Sequence, residues 1–183
     1  YAVAFAETGH LCLATLHVNN ANQALDWIIS FFPADRQQQV WMDLSLNLAG
    51  MVAQQLIPTI DGQGRRAAIE VLINTPLCAD MIRKGEVHTI KELMTKSTEQ
   101  GMQTFDQALF RLYVDGDITY ESALASADSA NDLRLMIKLS GEAPKTNQVG
   151  GEAAPAPAAK PESGSAVQGL SLEAAEDDIR VER

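Results

Sequence analysis

At Glu142 the chain changes character, and that break decides where a fold can form. Residues 142–169, "EAPKTNQVGGEAAPAPAAKPESGSAVQG", are rich in Ala, Pro, Gly and Ser and offer no apolar face at helical or strand spacing. They begin what reads as a flexible, acidic, disordered tail over 142–183. Its last stretch, "LSLEAAEDDIRVER", reads either as a short acidic docking helix or as plain disorder. Folding therefore falls to residues 1–141. That length suffices for one ordinary domain with a real core in a chain that is 46% hydrophobic.

Within those residues helical and strand patterns alternate. "YAVAFAETGH" reads as the last turns of a helix already under way, so the chain is expected to be a fragment of a longer protein. Residues 10–17, "HLCLATLH", read as a strand. A helix is predicted over 20–32, with Asn20 as N-cap, Gln23 at the capping-box position, and Ala24, Leu25, Ile28, Ile29 and Phe32 on one face. Pro33 opens a second helix carrying Val40, Trp41, Leu44, Leu48 and Met51 at intervals of three and four, with Gly50 helping to end it. "MVAQQLIPT" and "RRAAIEVLI" are β-prone runs around the turn signal "DGQG", which predicts a strand pair.

After Pro76 the pattern is wholly helical, over 76–84, 86–98, 105–115, 120–127 and 130–139. Thr104 with Gln107 makes a capping box, Thr119 is another N-cap, and Gly116 and Gly141 mark stops. The class expected is α/β, with a strand-bearing part over 1–75, a helical subdomain over 76–141 and the tail over 142–183.

Charge excludes one class of partner. The formal net charge is −10, with 10 basic against 16 acidic residues through Gly141 and 4 against 8 beyond it, so neither part has a nucleic-acid footprint. Cys12 and Cys78 form no CxxC pattern and sit among apolar neighbours, which predicts reduced, packed thiols in a cytoplasmic protein and no structural zinc. There is no run of about 18 apolar residues and no signal-peptide n-region, so no membrane insertion is expected. Docking onto a membrane machine stays open.

The segment with two histidines carries the chemistry. On an alternating strand, Leu11, Leu13, Thr15 and His17 share one face, while His10, Cys12, Ala14 and Leu16 share the other. The two imidazoles point apart and lie roughly 23 Å from each other at about 3.3 Å per residue, which argues against a shared metal ion. Thr15 and His17 converge at the strand's carboxyl end, where open α/β sheets place ligands. If a nucleotide lies there, Thr15 senses a phosphate or holds the attacking water and His17 donates to phosphate oxygens, with Asn19 or Asn20 helping. The alternative is that Thr15 satisfies a backbone carbonyl, His17 is a polar strand end and His10 caps a turn after Gly9. Arg66 and Glu70, four apart on one strand, either carry a charge network near a nucleotide or across a subunit boundary, or form an ordinary edge pair. No GxxxxGK[ST] string, Gly-rich dinucleotide fingerprint, GxSxG elbow or HExxH helix occurs in the 183 residues, so they hold no complete active site.

The stretch "AETGHLCLATLHVNNANQALD" resembles the histidine box and sensor segment of the PilT/PilU family of type IV pilus retraction ATPases. The likeness continues through "FFPADRQQQ", "GRRAAIEVLINTP", "IRKGEVHTIKELM", "GMQTFDQALFRLY" and "SANDLRLMIKL", covering residues 1–140. "VAQQLIPT", "IRKGE" and "ANDLRLMIKL" are more similar to the PilU branch than to PilT. Ala79 and Lys84 also stand where the PilT helix after "TP" has its first arginine and its glutamate. One departure is Trp27, which follows the aspartate of "ALD" where the family usually has arginine.

The resemblance implies the carboxyl-terminal part of a RecA-like P-loop ATPase core, followed by the helical subdomain and tail. It implies a homo-hexamer with ATP and Mg²⁺ at subunit junctions, bound mainly by Walker A and Walker B residues outside this chain. Such a motor withdraws pilin from the pilus base and works in the cytoplasm, peripheral to the inner membrane, with a platform protein and a PilT-like paralogue as partners. His10 and His17 fall on the histidine box with Thr15 inside it, and these three are the catalytic candidates. Asn19, Asn20, Arg66 and Glu70 are candidates for cofactor binding. Arg83, in "MIRKGE", matches the second arginine of the retraction motif and is a coupling candidate. The contrasting reading is a non-catalytic interaction module that docks on the pilus platform or a partner ATPase.

Overall fold

The computed structural model describes residues 2–142, Pro144 and Lys145. The tail predicted over 142–183 lies, apart from Glu142, Pro144 and Lys145, outside the described residues. Capping chemistry sets the helix starts. α1 (Ala2–Glu7) is followed, after an irregular segment, by α2 (Ala21–Ser30), and the Oδ1 of Asn20 accepts the Gln23 N–H at 2.9 Å. Gln23 does not complete the predicted box on Asn20. Its Oε1 instead accepts the Asn19 N–H at 3.4 Å.

α3 (Ala34–Asn47) follows Pro33, and α4 (Pro76–Lys84) takes Thr75 as its cap and ends on left-handed Gly85 at φ +72°. α5 (Val87–Lys96) leads into a 3₁₀ turn at Thr98–Gln100. α6 (Phe105–Val114) has the full Thr104–Gln107 capping box, α7 (Tyr120–Ser126) starts at Thr119, and α8 (Ala130–Ser140) starts at Ser129.

β1 (Gly50–Pro58) and β2 (Arg65–Ile73) pair antiparallel, with Gly50 opposite Ile73 and Pro58 opposite Arg65. In the connection, the carboxylate of Asp61 accepts the Thr59 hydroxyl at 2.5 Å and the Gln63 N–H at 3.1 Å. The far edge of β2 is covered briefly. Val71 and Gln103 exchange backbone bonds of 2.8 and 3.0 Å, and the Gln103 side chain donates to the Ile69 carbonyl at 2.8 Å.

Two expectations fail here. Gly50 does not end α3, which closes at Leu48; it opens β1, where a Cβ would stand 2.7 Å from the Leu72 carbonyl oxygen. The strand predicted over residues 10–17 is also absent: His10–Val18 belong to no helix or strand, and Leu11 and Leu13 are 84% and 90% exposed. Alternation becomes a strand only when a neighbouring strand takes its backbone N–H and C=O groups. Among the described residues no strand lies beside this segment.

Two apolar clusters meet along β2. Leu72 packs with Leu25, Ile29, Leu44, Ile82, Ile90 and Met94, so α2 to α5 share one buried cluster. Ala68 packs with Ile57, Phe105, Leu109, Ile118, Ala123 and Leu133, which joins α6 to α8 to the sheet. The close contact at Gly50 gives a test. Gly50→Ala is expected to cost about 1–3 kcal/mol by forcing backbone against backbone, read as a lowered urea midpoint. An unchanged midpoint would show that β1 and β2 can separate there without loss.

Candidate functional site

The first two turns of α2 border an open cleft of about 350 Å³, lined by His17, Val18, Asn19, Gln23, Asp26 and Trp27. Trp27 stacks edge-on against Phe31, one turn further along the helix, with ring centroids 5.2 Å apart. His17 and Asn19 therefore come together with the Trp27 indole. Thr15 does not line the cleft. With no strand to carry it there, it lies exposed on the irregular segment.

His10 is held at the other end of that segment. The Thr8 hydroxyl donates to the Phe5 carbonyl at 2.8 Å, which uses its only proton, so the 2.9 Å contact with His10 has Nδ1–H donating to Thr8 Oγ1. The ring also meets Phe5 edge-on at 5.9 Å. His10 thus closes the turn after α1, with Gly9 at φ +85°.

The remaining candidates lie outside the cleft. Arg66 pairs with Asp117 at 3.1 Å and makes no ion pair with Glu70 among the described residues, so neither a direct Arg66–Glu70 charge network nor an edge pair between them is formed. Arg83 and Lys84 both pair with Asp80 on the exposed last turn of α4. Asn20 spends its amide on two partners: Oδ1 caps α2, and Nδ2 donates to Asp128 Oδ1 at 3.3 Å.

Glu70 is buried and accepts the Ala21 N–H at 2.7 Å, beneath the start of α2. Burial pushes its carboxyl above the usual glutamate range and the nearby Asp128 charge adds to this, while the Ala21 N–H and Lys91 oppose it. Asp106, also buried, accepts the backbone N–H groups of Asp128 at 2.9 Å and Ser129 at 3.2 Å; burial raises its pKa and the Lys91 charge pulls it back. Lys91 pairs directly with Asp128. The sequence reading missed Lys91, Asp106 and Asp128. Cys78 is fully buried and its thiol is pushed up to about 11, so it stays protonated and unreactive at neutral pH.

Among the described residues no group of three His, Cys, Asp or Glu side chains is arranged to hold a metal, and no helix is long and apolar enough to cross a membrane. The sequence profile of the family described as Type II/IV secretion system protein matches residues 1–115. The chain belongs to that family. Within it, the chain is 67% identical to the Type IV pilus ATPase PilU of Pseudomonas aeruginosa, over 97% of this chain and 43% of that protein. It is 37% identical to the Type IV pilus retractation ATPase PilT of the same organism, over 69% of this chain and 36% of that protein. The chain therefore spans less than half the length of these curated relatives, and it is a PilT/PilU family member.

The crystal structure of the pilus retraction motor PilT with bound ADP matches with a TM-score of 0.66 and 37% identity, covering 74% of this chain and 37% of that one. The Legionella pneumophila ATPase DotB matches with a TM-score of 0.57 at 21% identity, covering 68% and 34%, and so speaks to fold alone. The α/β class expected from the sequence is the one found.

In this family member the buried Glu70 carboxyl has a definite pH signature. Its raised value means that the folded state favours the protonated form, so its contribution to stability is full below the ordinary value near 4.5 and is lost as pH rises through the elevated one. The stability of the parent relative to Glu70→Gln is expected to fall as pH rises above 4.5, followed by urea unfolding. A difference independent of pH would show that Glu70 titrates normally.

Proposed function

We propose that the whole protein is a homo-hexameric RecA-like ATPase that couples ATP hydrolysis to pilin withdrawal and so powers pilus retraction and twitching motility. It works in the cytoplasm at the inner-membrane base of the pilus, with a platform protein and a PilT-like paralogue as partners. One observation carries this reading: His17, Asn19 and Trp27 surround an open cleft at the start of α2 in a chain 67% identical to a PilU ATPase over nearly all its length. Residues 1–75 belong to the ATPase core, 76–141 to a helical subdomain and 142–183 to a tail.

The donors in the cleft suit a supporting contact to a phosphate rather than a complete phosphate cradle. Helix starts bind anions through unpaired N–H groups, but here Ala21 N–H goes to Glu70, Gln23 N–H to Asn20 and Asn19 N–H to Gln23. No lysine or arginine lines the cleft, and Asp26 adds negative charge. An imidazole and a side-chain amide remain, which fits one or two hydrogen bonds to a phosphate held mainly by residues outside this chain. ATP with Mg²⁺, when bound, supplies the terminal phosphoryl group for in-line attack by water.

In this reading His17 donates to a terminal-phosphate oxygen and Asn19 supplies a second donor. Thr15 reaches the phosphate only when the segment closes on it. His10 anchors the segment's start, and Arg83 passes motion from α4 toward the pilus machinery. His17→Ala in the full-length protein is expected to lower ATP turnover about tenfold or more, the worth of a hydrogen bond to a charged group, while light scattering still reports hexamers. Turnover equal to the parent's would reject the role of His17.

A further inference from the structure

The segment that carries His17 has no hydrogen-bonded scaffold of its own, since His10–Val18 belong to no helix or strand. The place of the cleft residues is therefore set where the chain becomes regular, at Asn20 and Ala21. Both are held from the side. The Ala21 N–H enters the buried Glu70 carboxylate of β2, and the Asn20 amide donates to Asp128 between α7 and α8. The second oxygen of Asp128 takes Lys91 of α5, while its backbone N–H and that of Ser129 are fixed by Asp106 of α6.

The seam carries a net negative charge, which Lys91 reduces but does not cancel. Glu70, Asp106 and Asp128 present three carboxylates, and Lys91 is the cation that offsets the burial of the first two and pairs with the third. Without it, carboxylates in a low-dielectric setting repel one another, and the exposed end of the seam is free to move. That end is Asp128, the partner of Asn20. The seam thus ends against Asn20, which stands between the cleft residues Asn19 and Gln23.

We propose that Lys91 is a positioning residue for the cleft, acting through Asp128 and Asn20 to hold the His17–Asn19 segment in place against the helices. The functional consequence rests on the nucleotide reading of that cleft; the mechanical one does not. The test uses the full-length protein with Lys91→Met and Lys91→Arg, reading amide exchange at Ala21 and Gln23 together with kcat and KM for ATP. Lys91→Met is expected to speed exchange at these two amides about tenfold and to raise KM by a similar factor, with kcat changed less than about twofold. Lys91→Arg, which keeps the charge, restores both readouts.

Unchanged exchange in Lys91→Met overturns the proposal. So does faster exchange spread equally over core amides such as Leu72 and Leu109, or failure of Lys91→Arg to restore either readout. Should Lys91→Met not fold, Asp128→Asn keeps the shape and removes the charge that Lys91 binds, and the same outcomes decide. The two readings fail separately. If His17→Ala leaves turnover intact while Lys91→Met still loosens Ala21, the nucleotide reading falls and positioning stands. If His17→Ala lowers turnover while Lys91→Met loosens nothing, positioning alone falls.

Discussion

Along one face of β2, Ala68, Glu70 and Leu72 follow at the strand period of two, and a carboxylate stands between two apolar side chains that belong to different clusters. The rest of the architecture answers that arrangement. A buried carboxylate costs free energy unless hydrogen bonds and a counter-charge satisfy it. The start of α2 supplies the hydrogen bond through Ala21, and α5 supplies the charge through Lys91. Glu70 thereby fixes how the helices before the sheet lie against those after it. Arg66 continues the same face into solvent, where its pair with Asp117 is half-exposed and contributes little.

What the sequence made legible was local chemistry. Caps at Asn20, Thr104 and Thr119 depend on residues three or four apart, and helix bounds agree within one or two residues where such signals exist. The strand pair around "DGQG" was equally plain, because the turn residues and both β-prone runs are contiguous. The segment "HLCLATLH" misled because alternation describes what a strand needs on its two faces and says nothing of whether an edge is available. The polar seam had no local signal at all. Lys91 and Asp128 are 37 residues apart, and Asp106 looks like an ordinary acidic residue in the first turn of a helix.

Glu70 and Arg66 show how the same pattern supports opposite roles. Both were read as one charged pair because they share a face, yet alternation does not say where the apolar cover ends. Here it ends between them, at Ala68, so one residue is sealed under α2 and the other reaches solvent. Burial places Glu70 under α2, where its carboxylate accepts the Ala21 N–H.

The histidine segment is thus fastened at both ends by different means and left free between. At its start, His10 is tied by a short-range turn in which Thr8 and Phe5 are the partners, all within five residues. At its end, Asn20 and Ala21 are tied over 108 and 49 residues to Asp128 and Glu70. The local tie lies within one turn of chain, whereas the long-range ties join the start of α2 to β2 and to the α7–α8 link. Thr15 lies exposed between the two ties, without a hydrogen-bond partner among the described residues.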